Sequence, residues 1–144
     1  MEALLSNRVL MPAIVGWLLA QMSKLVIDVV RERRLNPRSL VSAGGMPSSH
    51  STLVVALATR VGMETGLSST LFALASIFAV VVMYDAAGVR RAVSVQARIL
   101  NRMLTEMIEA QQFNEQRLRE LIGHTPFEVF VGGLLGAVVA VSWS

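Results

Sequence analysis

Residues 67–84 read LSSTLFALASIFAVVVMY and hold no charged side chain. A helix needs about 20 mostly apolar residues to cross the hydrocarbon core, with a working range of about 17–25. This stretch meets that length on its own and predicts a membrane-crossing helix. Three more apolar segments accompany it. Residues 9–30 contain Pro12, Lys24 and Asp28 and would cross a bilayer with both charges facing protein or water. Residues 48–63 are interrupted by Arg60 and form the weakest of the four. Residues 127–143 carry one acid, Glu128, and the glycines Gly132, Gly133 and Gly136. Small residues let helices pack closely in lipid, so these glycines are candidates for a homodimer contact.

Composition agrees with a membrane chain. Of 144 residues, 53% are hydrophobic and 16% charged, and the mean hydropathy is +0.57. Soluble domains carry about 25% charged residues. The length fits one domain over residues 1–144. The apolar content excludes disorder. The absence of Cys excludes a disulfide framework and a Cys-ligated metal site. With two His, a multi-histidine metal site is not expected either. No metal and no cofactor are expected for this chain.

Residues 89–122 are polar overall. Their apolar positions, Val93, Ala97, Leu100, Leu104, Met107, Ile108, Leu118 and Leu121, recur largely at steps of three or four. With Arg90, Arg91, Arg98 and Arg102 at the start, this predicts an amphipathic helix on the membrane surface or against the bundle, broken near 111–114. Residues 36–49 hold Pro37, Gly44, Gly45 and Pro47 and read as a loop. The expected fold is an all-α integral membrane bundle of about four transmembrane helices plus an amphipathic segment. A signal peptide is the other reading of the first segment, but no small-x-small cleavage site follows it.

All but one of the 13 basic residues are Arg, whose planar fork suits phosphate and carboxylate. With four crossings, Arg31, Arg33, Arg34, Arg38, Arg90, Arg91, Arg98, Arg102, Arg117 and Arg119 share one membrane face. The positive-inside rule places that face, with loops 31–49 and 89–124, in the cytoplasm. Nucleic acid is not an expected partner, because the Arg residues flank membrane segments and one Tyr and two Trp offer few stacking platforms. Membrane phospholipid headgroups and phosphorylated substrates are the anionic partners left.

The same face collects the reactive residues. Lys24 and Arg31 end the first segment, and Met46-Pro47-Ser48-Ser49-His50-Ser51 opens the second. Asp85, Arg90 and Arg91 close the third, and His124 and Glu128 open the fourth. His124 and Glu128 are four apart and share a helix face. A carboxylate there fixes the imidazole tautomer and raises its basicity. Ser48 and Ser49 begin a helix, where hydroxyls and free N–H groups receive anions. Lys24 sits at a depth where charge is expensive. Each alone has an ordinary explanation: a cap, a snorkelling Lys24 or a Lys24–Asp28 pair, a basic anchor, a helix-end ion pair around Asp85. Together they form an inventory for phosphoryl transfer. Cations and N–H groups hold the oxygens, one His attacks phosphorus and the other protonates the leaving oxygen.

Three blocks, Gly44-Gly45-Met46-Pro47-Ser48-Ser49-His50-Ser51, Tyr84-Asp85-Ala86-Ala87-Gly88-Val89-Arg90-Arg91 and Gly123-His124-Thr125-Pro126-Phe127-Glu128-Val129, carry a resemblance. In this order they resemble the type-2 phosphatidic acid phosphatases, the superfamily that includes bacterial acid phosphatases and vanadium-dependent haloperoxidases. Within it they are most similar to the small divergent membrane branch. The superfamily's Lys, six residues, Arg-Pro motif is matched by Lys24 and Arg31, with Glu32 in place of Pro. Its Pro-Ser-x-His motif is matched by Pro47, Ser48 and His50. Its third motif, Ser-Arg, five residues, His, three residues, Asp, is matched by His124, with Glu128 in place of Asp and Leu118 in place of Arg; Arg117 and Arg119 flank that position.

The resemblance implies that His124 is a nucleophile forming a phosphohistidine, oriented by Glu128, and that His50 protonates the leaving alkoxide. It implies that Lys24, Arg31, Ser48 and Ser49 bind the phosphoryl oxygens. Arg90 or Arg91 would replace the missing Arg, with Asp85 in support. The expected activity is a metal-independent lipid-phosphate phosphatase acting on a lipid phosphomonoester or diphosphate. The alternative is a catalytically inactive headgroup-binding or scaffold protein. The superfamily core usually has six helices, so segment 89–122 or dimerisation would complete this one.

Overall fold

A computed structural model describes residues 6–32, 45–110 and 124–143. Its elements are α1 (Leu10–Glu32), α2 (Ser49–Thr65), α3 (Thr70–Ala87), α4 (Val89–Ala110) and α5 (Pro126–Ser142), with no strand among the described residues.

Each start has a local cause. Asn7 Oδ1 accepts the N–H groups of Val9 and Leu10 at 2.9 Å each, satisfying donors that would be orphaned at the head of α1. Ser48 caps α2, accepting from Ser51 N, and Ser69 caps α3, accepting from Phe72 N. Thr125 and Glu128 form a reciprocal capping box on α5, with Pro126 where its missing N–H costs nothing. Gly66 ends α2 at φ +86, a backbone open to Gly, and its N–H reaches Gly62 O at 3.0 Å. The chain turns there at once into α3, so these two helices lie antiparallel as neighbours.

The central element is α2, packed by α1, α3 and α5, whereas α4 packs against α3 alone among the described elements. The interior is built from small residues. Ala13, Ala56 and Ala140 form one buried cluster across α1, α2 and α5; Val54, Ala58 and Ala79 form another between α2 and α3. A Cβ on Gly16 would sit 3.2 Å from Thr52 Cγ2. A Cβ on Gly132 would strike the Ser48 carbonyl, and one on Gly136 the Thr52 carbonyl. Large side chains point the other way: Leu71, Leu74, Ile77, Phe78 and Val81 of α3 are exposed. Small inside and large outside is the packing expected where the solvent is hydrocarbon.

Two helices contain windows long and apolar enough to cross a membrane, Leu10–Ile27 and Thr70–Ala87, and Pro126–Ser142 is a shorter apolar helix. The second expected crossing differs. In α2 the residues Ser49, Ser51, Thr52 and Arg60 are polar and buried, so this helix is wrapped by its neighbours rather than apolar in itself. The glycines expected to serve a homodimer face their own chain, Gly132 and Gly136 towards α2 and Gly133 towards Val55 and Met83. The amphipathic segment is helical through Ala110; its expected break near 111–114 lies outside the described residues.

Arg60 closes the end of the bundle remote from Ser49, about 16 Å away along three turns of α2. Its guanidinium donates to Arg8 O and Trp143 O at 3.0 Å each and pairs with Glu64 at 2.6 Å. It thereby joins the start of α1 to the end of α5.

Candidate functional site

Alternating helix directions bring the end of α1 and the starts of α2 and α5 to one end of the bundle. Lys24 approaches from α1, Ser48, Ser49 and His50 from the head of α2, and His124 and Glu128 from the head of α5. Ser48 N donates to Glu128 O at 3.1 Å, which ties the two helix heads together.

His124 is fully buried. Its ring meets that of His50 edge to face, with centroids 6.3 Å apart at 64°. Its Nδ1 lies 3.4 Å from Glu128 Oε2, close enough for charge attraction but not aligned as a hydrogen bond. The same Glu128 oxygen accepts Thr125 N at 2.8 Å, so the cap of α5 holds the carboxylate beside the ring. His124 Nε2 is buried with no hydrogen-bond partner among the described residues. A carboxylate on the Nδ1 side favours the tautomer that leaves Nε2 its lone pair. Burial, then the Lys24 charge, and to a smaller degree His50, hold the His124 pKa below 6.5 against the upward pull of Glu128. The net effect favours the neutral ring over the imidazolium.

The residues expected to bind a phosphoryl group lie alongside. Lys24, 3% exposed, donates through Nζ to Ser49 Oγ at 3.2 Å, and Ser49 is buried as well. Ser48 Oγ accepts from Ser51 Oγ at 3.0 Å and from Ser51 N at 3.4 Å. With its lone pairs so engaged, the Ser48 hydroxyl proton is left to donate. His50 is half-buried on the first turn of α2.

The structure thus brings together Lys24, Ser48, Ser49, His50, His124 and Glu128. Asp85 is exposed on the last turn of α3. Arg31 lies in the last turn of α1 and Arg90 and Arg91 in the first turn of α4, with side chains outside the described residues. Leu118, with Arg117 and Arg119, is outside them too. Sequence reading gave Ser51 no role of its own and missed Thr52; both are fully buried in the first turn of α2. The available signal was spacing: Ser48 and Thr52 are four apart and share a face.

Among the described residues every element is a helix, and crossing-length apolar helices with a buried His, Lys and Ser cluster at one end define a helical membrane-type bundle with a polar site. The chain belongs to the Divergent PAP2 family, whose model matches residues 5–139. It is 41% identical over 149 residues to the uncharacterized membrane protein YuiD of Bacillus subtilis (strain 168), covering 96% of this chain and 94% of that one. No solved structure matches it. The family is the one that the three motif blocks resemble.

Proposed function

We propose that this protein is a metal-independent lipid-phosphate phosphatase working through a phosphohistidine. In this reading α1, α2, α3 and α5 cross the membrane and the site faces the cytoplasm. The observation that carries it is the approach of His124 to His50, centroids 6.3 Å apart, where the N-termini of α2 and α5 converge beside Lys24. Each helix N-terminus contributes about half a positive charge. Two of them and an ammonium make a strongly anion-attracting pocket, lined by the Ser48 and Ser49 hydroxyls. Family membership in a phosphatase-related group supports the same chemistry.

The steps follow from the groups. Lys24, Ser48, Ser49 and the N–H groups at the head of α2 hold the nonbridging oxygens. His124 Nε2 attacks phosphorus, forming a P–N bond as the bond to the lipid alkoxide breaks. His50, protonated, gives its proton to that alkoxide. Water then attacks the phosphohistidine, His50 takes its proton, and the P–N bond breaks to release inorganic phosphate. Glu128 stabilises the imidazolium character that His124 gains. A bundle with crossing-length apolar helices presents this pocket at headgroup height, which favours a lipid phosphomonoester or diphosphate.

A second reading, headgroup binding without turnover, is favoured by Leu118 where the superfamily has Arg. One missing transition-state donor costs about 10²–10³ in rate. Phosphate release from a panel of lipid phosphates in detergent with EDTA, beside His124→Ala, separates the two. Release by the wild type and none by the variant supports the phosphatase. No release by a folded wild type that still binds the lipid overturns it in favour of binding.

A further inference from the structure

We propose that Thr52 is a positioning residue for the two histidines, its hydroxyl pinning α2 and α5 in the register that turns His50 towards His124. The consequence for rate rests on the phosphatase reading; the positioning itself rests on geometry. Thr52 is fully buried, and its Oγ1 lies 2.9 Å from Ser48 O and 2.9 Å from Gly132 O. A hydroxyl has one proton, so it is shared between a carbonyl of each helix. One turn nearer the site, Ser48 N donates to Glu128 O at 3.1 Å. Both bridges join residues offset by 80 positions, so α2 and α5 run parallel and in step over two consecutive turns.

The head of α2 carries His50 two residues from Ser48, and the approach to α5 carries His124 four residues from Glu128. A slide or twist at the seam therefore changes how the rings meet. Gly132 and Gly136 let the backbones come close enough for the bridges to form, since a Cβ at either would strike an α2 carbonyl. The Thr52 hydroxyl engages the Ser48 and Gly132 carbonyls, so in this proposal it acts through the seam.

The ordinary alternative is that Thr52 only glues two helices. A buried Thr commonly bonds its own i−4 carbonyl, and a hydroxyl between helices adds modest stability. That role predicts a lower melting temperature and an unchanged site. The full-length protein in micelles separates the two with Thr52→Val, isosteric without the hydroxyl, and Thr52→Ser, which keeps it. The readouts are steady-state kinetics on a lipid phosphate and the ¹⁵N NMR titration of the His124 ring.

Thr52→Val is expected to lower kcat about 10- to 100-fold, the scale of a misplaced catalytic group, with KM within about twofold and a moved His124 midpoint. Thr52→Ser is expected to restore both. A Thr52→Val protein with wild-type kcat and midpoint, or a Thr52→Ser protein as impaired as Thr52→Val, overturns the proposal. If Thr52→Val does not fold, Thr52→Cys, a weaker donor, takes its place: intermediate kcat and a moved midpoint support the proposal, and wild-type values contradict it. If even the wild type turns over no lipid phosphate, the phosphatase reading fails, and the His124 midpoint alone decides the positioning role.

Discussion

Ser48 donates its backbone N–H to the carbonyl of Glu128 across 3.1 Å. This bond joins two sequence blocks that lie far apart along the chain and makes one structure of two helix heads. The hydroxyl of Ser48 caps α2, and the carboxylate of Glu128 caps α5 while lying beside His124. The groups that begin the helices are therefore the groups that line the proposed anion pocket. In the phosphatase reading, capping and chemistry are two uses of the same side chains.

Glu128 separates these uses. Glu128→Gln keeps an acceptor for Thr125 N but removes the charge beside His124 Nδ1. Its kcat is expected to fall by about 10²-fold or more, the scale of general acid–base assistance, with a melting temperature near wild type. Glu128→Ala should lose the same activity and also about 1 kcal/mol of helix-cap stability. Kinetics beside thermal unfolding of both variants checks this. Full activity in Glu128→Gln would contradict it.

The pH profile follows from the depressed His124 pKa. In the proposed mechanism the attacking ring must be neutral, so the acid limb of the activity profile should have its midpoint below 6.5. Lys24→Met removes one cause of the depression and should move this acid limb to higher pH, whatever it does to the maximum rate. Stability follows the same sign. The unfolded ring takes up its proton near pH 6.5 and the folded ring only at lower pH. The contribution of His124 is thus complete above that value and is lost as pH falls towards the folded pKa. Melting temperatures from pH 8 to 5 should drop on the acid side, less steeply in His124→Asn. An acid limb above 6.5 would contradict this account.

The glycines of α5 should divide sharply. Gly132→Ala drives a methyl into the Ser48 backbone carbonyl, where neither partner is a flexible side chain. It should lower stability by about 1–3 kcal/mol, the usual scale of overpacking. Gly133→Ala puts its methyl 3.5 Å from Val55 Cγ2 and 3.8 Å from Met83 Sδ, ordinary contact, and should be tolerated. Thermal unfolding of the two variants in one detergent makes the comparison, and equal melting temperatures would contradict the seam.

Arg60 should matter for stability alone. Arg60→Leu removes two bonds to carbonyls and the Glu64 pair from the far end of the bundle. Hydrogen bonds to charged groups contribute about 1.5–3 kcal/mol each, less where solvent reaches them. The melting temperature should fall, while KM and the acid limb stay at their wild-type values. A changed KM would show that the two ends of the bundle are coupled.

The sequence made legible what composition and spacing encode. Residues 67–84 announced a crossing-length helix, and α3 occupies Thr70–Ala87, its start set by the Ser69 cap. The spacing of His124 and Glu128, and the Ser-rich turn before the second segment, indicated which helix heads hold polar groups. Other features depend on contacts between elements. Burial by neighbours lets α2 carry Arg60, Thr52 and two serines in the bundle, and no local pattern reveals that wrapping. The glycines of α5 looked like a surface for a second copy because sequence cannot say which helix a small face meets. Thr52 went unnoticed because its four-residue spacing from Ser48 marks a shared face but not the Gly132 carbonyl that lies beside it.

The most direct test of the central claim is to trap the covalent intermediate. Wild type and His124→Ala are incubated briefly with a ³²P-labelled lipid phosphate, quenched in alkali and examined for protein-bound label. The account predicts label on the wild type that survives alkali and is lost in mild acid, as a phosphoramidate is, with none on His124→Ala. Phosphate release by a wild type that carries no such label, or equal label on both proteins, would contradict it.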